Sequence, residues 1–222
     1  MALDVTTKDC NALSDSELAE MADICADGGH CYGVGELSKQ VDVWVLVTLV
    51  RDGNLLRGFS FSTLERIGGT PCILLGVAAV KRTSKRDATL KALIGDNFRR
   101  ALMAFPDEDV LLGTRMSDAG ALEGFRLLSD IVPRPDHKPS GEERAWGRRL
   151  VKRFGIEAKR YNDTVFTITG DGSPPLVLDH ESLKPDTIDV AVAAQFTHLD
   201  DDRGDCVVVC GWAMAEELLK HG

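Results

Sequence analysis

The apolar run CILLGVAAV at 72–80, followed at once by positive charge, most constrains how this chain can fold. A strand with no polar face has to be covered on both sides, so the run predicts a central strand of a sheet. From 88 to 105, apolar residues recur at steps of three and four, which predicts one buried face of a long helix. The turn between them carries Lys81, Arg82, Lys85 and Arg86.

Shorter patterns predict the elements on either side of this unit. Ser14 and Glu17 have the spacing of a capping box, so a helix should begin near residue 15. Two strand-like segments, 41–50 and 55–64, flank Asp52-Gly53, a dipeptide that favours a tight hairpin turn. A strand is expected at 109–116, followed by a short helix over 117–128 that Ser117 or Asp118 would cap.

The second part of the chain is less regular. Prolines cluster at 133–143, which predicts a connector between a core at 1–132 and a C-terminal sheet and helix at 144–222 that complete the fold. A helix should follow the connector, with Trp146, Leu150 and Phe154 on one face. Strands are predicted at 164–169, 187–196 and 205–212, and a terminal helix at 213–220.

Composition excludes several classes of function. The net charge of −9 argues against a nucleic-acid partner, because neutralising phosphates needs a basic face. The apolar run 43–50 is too short to span a membrane, and the first ten residues lack the features of a signal peptide. Six cysteines without a CxxC pair indicate reduced thiols in the cytoplasm. Cys25, His30 and Cys31 would need a fourth ligand to hold a metal ion, so no metal site is predicted.

The basic turn predicts an anion site. A helix N-terminus carries partial positive charge, so cations just before it are unfavourable unless an anion offsets them. Backbone N–H groups, the helix dipole and nearby Lys and Arg side chains together bind phosphate well. The turn therefore predicts a small anionic ligand, and a solvated charged loop is the alternative.

The order of elements over residues 12–132 resembles the GCN5-related N-acetyltransferase (GNAT) superfamily. The resemblance implies an α+β fold with a mixed, mostly antiparallel central sheet flanked by helices. It also implies acetyl-CoA or another acyl-CoA as cofactor, with the pantetheine arm on the central strand and the pyrophosphate in the turn. The family's loop motif Q/R-x-x-G-x-G/A falls on 85–90, where Lys85 keeps the leading cation while Ala88 and Leu90 replace the small, glycine-rich positions.

Laid on this sequence, the resemblance predicts one set of residues around the cofactor. They are Val77, Ala78, Ala79, Val80, Lys81, Arg82, Lys85, Arg86, Asp87, Ala88 and Thr89.

Acyl transfer to an amine needs a base, a polarised carbonyl and a proton donor for the leaving thiolate. The family's proton-donating tyrosine falls at Phe125, which has no proton to give. Ser117 and Tyr32 are the candidate donors, and Glu65 is the candidate base. A helix cap is the simpler role for Ser117, and an exposed strand end is the simpler place for Glu65. His180 and His198 are further candidate bases, but both lie in polar surroundings and are expected on the surface.

Three functional hypotheses follow. The first is an acyl-CoA-dependent N-acyltransferase that transfers an acetyl or longer acyl group to a small amine or amino-acid-like acceptor by direct attack. The second is a non-catalytic GNAT-like module that binds acyl-CoA or regulates a partner. The third is a structural protein that forms a homodimer through the strand DCVVVC at 205–210.

Overall fold

The computed structural model describes residues 3–221, which form one sheet with helices packed against it. The strands are β1 (Asp4–Asp9), β2 (Leu46–Asp52), β3 (Leu55–Ile67), β4 (Thr70–Val80), β5 (Val110–Met116), β6 (Ser129–Val132), β7 (Tyr161–Asn162), β8 (Thr167–Ile168), β9 (Leu178–Asp179) and β10 (Cys206–Ala213). The helices are α1 (Asp15–Ala26), α2 (Val34–Val41), α3 (Arg86–Ala104), α4 (Gly141–Arg153), α5 (Val190–Ala193) and α6 (Ala215–Leu218).

The sheet has the mixed, mostly antiparallel character that the sequence predicts. Its order is β1-β2-β3-β4-β5-β10-β8-β7, with β6 joined to β10 and β9 joined to β4. Within the described residues the only parallel pairings are those of β4 with β5 and of β4 with β9. The predicted α+β fold class is therefore confirmed.

Strand β10 links the C-terminal part of the chain to the central sheet. One edge of β10 pairs with β5, and the other pairs with β6 and β8. Because both edges are used, β10 offers no free backbone edge to a second copy of the chain. Edge pairing of β10 with a second copy is therefore not available, and the predicted homodimer through 205–210 stays a prediction.

The elements with strong local signals form as predicted. Helix α1 begins at its capping box, where Ser14 N–H donates to the Glu17 carboxylate at 2.8 Å. This bond and the contact with Lys8 hold the pKa of Glu17 down to about 2, against the opposing effect of partial burial. Helix α3 buries the predicted face, including Leu90, Leu93 and Ile94, against the sheet.

Other elements differ from the prediction. Strand β1 and helix α2 are present but were not predicted. The segment 187–196, predicted as a strand, contains the short helix α5 instead. The Asp189 side chain accepts from Ala191 N–H at 2.7 Å and caps this helix, while Val190 is 84% exposed. Because the Val190 side chain is so exposed, this segment does not pack against the sheet or pair with it as a strand.

None of the helices within residues 3–221 is long and apolar enough to cross a membrane. All six cysteines are free thiols, and all except Cys31 are buried. Burial raises the pKa of Cys10 and of Cys25 to about 12, so both stay protonated at neutral pH.

Candidate functional site

A gap opens between the two central parallel strands. Strands β4 and β5 pair only where Cys72–Leu74 lie beside Leu111–Gly113. Just beyond, β4 bulges, since Ser62 of β3 faces Leu75 while Ser60 faces Ala78. A bulge bends its strand, and the second half of β4 separates from β5. Gly76 lies at the bulge, where an added Cβ would come within 2.2 Å of the Trp44 ring.

A segment of the chain itself fills this gap. Residues 174–182, here named the strap, run along the second half of β4. Leu178 and Asp179 pair in parallel with Ala78 and Ala79, and Ala78 N–H donates to the Val177 carbonyl at 3.2 Å. Val177 and Leu178 are almost fully buried. The strap thus takes the strand edge at Val77 to Val80 that the resemblance assigns to a pantetheine arm.

Tyr32 holds the start of the strap. Its hydroxyl donates to the Pro175 carbonyl and accepts from Val177 N–H at 3.3 Å. The side chain is 2% exposed, and burial raises its pKa. As long as the strap is docked, the hydroxyl proton of Tyr32 is engaged in this contact.

Each of the four cations of the basic turn has an oxygen partner, and two of these partners belong to the strap. The partners are Asp27 for Lys81 (3.6 Å), Asp52 for Lys85 (2.7 Å), Glu181 for Arg82 (3.2 Å) and the Ser182 carbonyl for Arg86 (2.8 Å). The Arg86 Nε is buried and has no hydrogen-bond partner. The turn therefore meets three carboxylates, and the one that belongs to the strap, Glu181, contacts both Arg82 and Arg86.

The residues after the turn lie in the first turn of α3. No side chain caps this helix at its N-terminus. Ala88 is exposed beside the turn, whereas Leu90 is 1% exposed and packs into the core. Thr89 Oγ1 donates to the Lys85 carbonyl at 3.1 Å. Leu90 therefore does not obstruct the turn, and Ala88 is the replaced position that borders it.

Ser117 lies at the end of β5 and contacts a histidine. Its Oγ is 2.8 Å from His30 Nε2. The cap of the following 3₁₀ helix is Asp118, which accepts from Gly120 N–H at 2.6 Å, so Ser117 is free of that role. Burial lowers the pKa of His30, which keeps its imidazole neutral at pH 7 and able to accept a proton.

The Ser117–His30 pair borders an acidic cavity of about 390 Å³. Five carboxylates line it, against the single guanidinium of Arg82. An ammonium group or a polar amine suits such a cavity electrostatically. The carboxylates are those of Asp118, Asp179, Glu181, Asp201 and Asp202.

Glu65 lies apart from these groups. It faces Cys72, near the beginning of β4, whereas the turn follows the end of that strand. Both of its carboxylate oxygens accept from Arg153, at 2.7 and 3.0 Å. Phe125, at the family's tyrosine position, is fully buried. The structure thus brings Ser117, Tyr32 and the basic turn to one region and leaves Glu65 outside it.

The two remaining histidines differ. His198 is exposed, as predicted, with Nε2 3.0 Å from Thr167 Oγ1. The surface prediction is wrong for His180, which is 1% exposed because it lies in the docked strap. The sequence analysis also missed the contact of His30 with Ser117, since the two residues are 87 positions apart along the chain.

No family model and no curated protein matches this chain at a significant level. Solved structures similar to it include an acetyltransferase of the GNAT family from Bacillus cereus (17% identity, 62% of this chain and 91% of that chain, TM-score 0.40). A ribosomal-protein-alanine N-acetyltransferase from Brucella melitensis (16%, 63% and 96%, 0.43) and an aminoglycoside 6'-N-acetyltransferase from Enterococcus faecium (8%, 94% and 97%, 0.43) are others. They are acetyltransferases, the class that the sequence resembles.

Proposed function

We propose that this protein is an acyl-CoA-dependent N-acyltransferase whose cofactor binds in the gap between β4 and β5. The observation that carries the proposal is how the strap fills that gap. It places peptide amides along β4 and a carboxylate on the basic turn. An acyl-CoA carries the same two kinds of group, namely the amides of pantetheine and a diphosphate.

Cofactor and strap would compete for one edge of β4. Undocking the strap frees Arg82 from Glu181 and Arg86 from the Ser182 carbonyl. Arginine binds phosphate oxygens in a bidentate manner, and the uncapped N-terminus of α3 adds N–H donors for an anion. Because only the undocked fraction binds, the apparent affinity for acyl-CoA is lowered by that fraction.

The residues beside the gap have the chemistry that acyl transfer needs. A bound acyl-CoA supplies an activated thioester carbonyl. Neutral His30 accepts the proton that the attacking amine loses, and the Ser117 hydroxyl donates a proton to the departing sulfur. Ser117 recovers its proton from His30, so the one proton lost by the amine ends on the thiol. A backbone N–H of Val77–Val80 polarises the carbonyl once the strap has left.

The acceptor is inferred from the acidic cavity next to Ser117 and His30. Three of its carboxylates, those of Asp118, Asp201 and Asp202, lie outside the strap and remain when the strap undocks, and they favour a cationic or strongly polar amine over an anionic acceptor. A small amine or amino-acid-like molecule with a second positive group fits this charge. The transferred group is acetyl or a longer acyl chain.

Calorimetric titration with acetyl-CoA and with a long-chain acyl-CoA tests the cofactor site. We expect Lys85→Ala and Arg86→Ala to weaken binding about tenfold or more, since each removes a charge-assisted contact. Lys159→Ala is the matched control, because Lys159 is 79% exposed and pairs with Glu157. Failure of acyl-CoA to bind, even to a variant with a weakened strap, would refute the proposal.

Thiol release with a panel of amines then tests catalysis. Ser117→Ala should lower kcat about tenfold or more and leave the Kd for acyl-CoA unchanged, as expected for a general acid. Binding without turnover for any amine would instead favour the non-catalytic module.

A further inference from the structure

His180 is a buried imidazole without a hydrogen bond. Its side chain is fully enclosed, and within residues 3–221 neither ring nitrogen has a hydrogen-bond partner. Leaving a buried polar group unpaired is costly, and such groups in native proteins usually have a specific reason. An unobserved ligand of the ring is one such reason.

Two carboxylates face this ring. His180 Nε2 is 3.5 Å from Asp87 Oδ1 and 3.6 Å from Glu123 Oε2. The three ligand atoms lie within 4.8 Å of one another. With metal–ligand bonds of about 2.1 Å and tetrahedral angles, neighbouring ligand atoms are about 3.4 Å apart. The spacing around the imidazole is thus close to that of ligands sharing one ion.

We propose that His180, Asp87 and Glu123 bind a divalent transition-metal ion of the Zn²⁺ class. One imidazole nitrogen and two carboxylate oxygens form a donor set that zinc accepts, whereas Mg²⁺ and Ca²⁺ prefer oxygen ligands alone. The two carboxylates also balance the charge of the ion.

Neighbouring groups orient these ligands. Ser182 Oγ donates to Glu123 Oε1 at 2.8 Å, which leaves the other oxygen facing His180. Leu183 N–H approaches Asp87 Oδ1 at 3.4 Å. Hydrogen bonds of this kind fix the direction of metal ligands and raise affinity.

The site also has an approach from solvent. A cavity of about 390 Å³ reaches Asp87 and Glu123 from outside, with room for a water molecule at a fourth ligand position. Arg126 Nη2, at the rim, is 3.7 Å from Glu123 Oε1. Its side chain is 72% exposed, so it can turn away at little cost when an ion enters.

Metal binding would join three parts of the fold. Asp87 lies in the first turn of α3, Glu123 in the 3₁₀ helix Ala119–Phe125, and His180 in the strap. An ion that bridges them would fasten the strap in the gap between β4 and β5. The site would exist whether or not the gap binds acyl-CoA.

Titration of the full chain with Zn²⁺, after removal of metal with EDTA, tests the site. We expect one equivalent to bind, and His180→Gln and Glu123→Gln each to lose about 100-fold or more in affinity. His198→Gln is the matched control, since His198 is an exposed histidine outside the cluster. Glu123→Gln can still accept from Ser182, so it keeps the test valid if His180→Gln fails to fold.

Co²⁺ in place of Zn²⁺ identifies the ligand type. Visible bands of a nitrogen- and oxygen-bound Co²⁺ that vanish in Glu123→Gln would support the site. A thiolate charge-transfer band would overturn it, because it places the ion on cysteine. So would a wild-type chain that binds no Zn²⁺, or variants that bind it as tightly as His198→Gln.

Discussion

The two halves of β4 have different neighbours although both are apolar and buried. The first half, at Cys72–Leu74, pairs with β5, which is a long strand of the central sheet. The second half, at Ala78–Ala79, pairs with the two-residue strand β9 of the strap. The first partner is anchored on its other edge by β10, whereas the strap is anchored mainly by Tyr32 and by contacts around the basic turn.

The edge of β4 therefore has two parts: one pairs permanently with β5, and we expect the other to exchange the strap for a ligand. The first pairing cannot be lost without opening the core of the sheet. We expect the second to be lost by local release of the strap, because β9 contributes only two residues to the sheet. A protein that keeps a ligand edge covered with its own chain can stay folded before the ligand arrives.

The largest effect on the free energy of unfolding is expected from a core substitution in the first half of β4. Leu74 is fully buried, so Leu74→Ala should lower the free energy of unfolding by about 3 kcal/mol in urea titrations. Leu178→Ala removes an equally buried side chain from the strap. In Leu178→Ala, the decrease in the free energy of unfolding cannot exceed the free energy of docking the strap, because the strap can be released before the rest of the protein unfolds. Equal losses in both variants would contradict the distinction between the two halves.

The next effect concerns Asp205, which stabilises the chain at Gly170, just before the strap begins. It accepts from Gly170 N–H at 2.8 Å and pairs with Arg203, whose contact is the largest cause holding the pKa of Asp205 at about 2. Because the pKa is lower when folded, this stabilisation is present above about pH 4 and is lost as the pH falls towards 2.

Asp205→Asn should therefore lower the free energy of unfolding by about 2 kcal/mol at pH 7. Urea titrations from pH 7 to pH 2 should also show that the free energy of unfolding of Asp205→Asn decreases less at acidic pH than that of the wild type. Asp202→Asn, at an exposed neighbour, is the control and should leave both unchanged. An acid limb that Asp205→Asn does not alter would contradict this role.

A smaller effect is expected at the strap's first anchor. Tyr32→Phe leaves the Pro175 carbonyl and Val177 N–H without a buried partner, at a cost of about 1–3 kcal/mol. Hydrogen exchange at 176–182 should become faster, and acyl-CoA should bind more tightly. Tyr161→Phe is the control, because the buried Tyr161 hydroxyl has no partner to lose. Unchanged exchange in Tyr32→Phe would show that the hydroxyl does not hold the strap.

The smallest effect is expected at Glu181, on the surface. Glu181→Gln removes the carboxylate that competes for Arg82 and Arg86, so acyl-CoA should bind about two- to fivefold tighter. The gain should shrink at high salt, because exposed charges are screened. Glu157→Gln, which alters an exposed pair with Lys159, should change nothing. A weaker affinity in Glu181→Gln would mean that Glu181 does not occupy the position of the diphosphate.

Elements that depend on neighbours in sequence were predictable. The capping box at Ser14 starts α1, the three- and four-residue spacing forms α3, and the apolar run at 72–80 forms β4. Strand β1 was missed because DVTTKD is polar and becomes a strand only by pairing with β2. The strand prediction for 187–196 was wrong because its apolar residues alternate but no strand lies beside this segment.

The candidate site divides in the same way. The charge of the basic turn and its place before a helix can be read from residues 77–90, because strand, turn and helix are consecutive. The strap's carboxylate at the turn could not be predicted, since Glu181 is about a hundred positions away and reaches the turn only because the strap runs along β4. The local sequence determines which charged and hydrogen-bonding groups a segment carries. Only the tertiary structure determines which distant residues contact those groups.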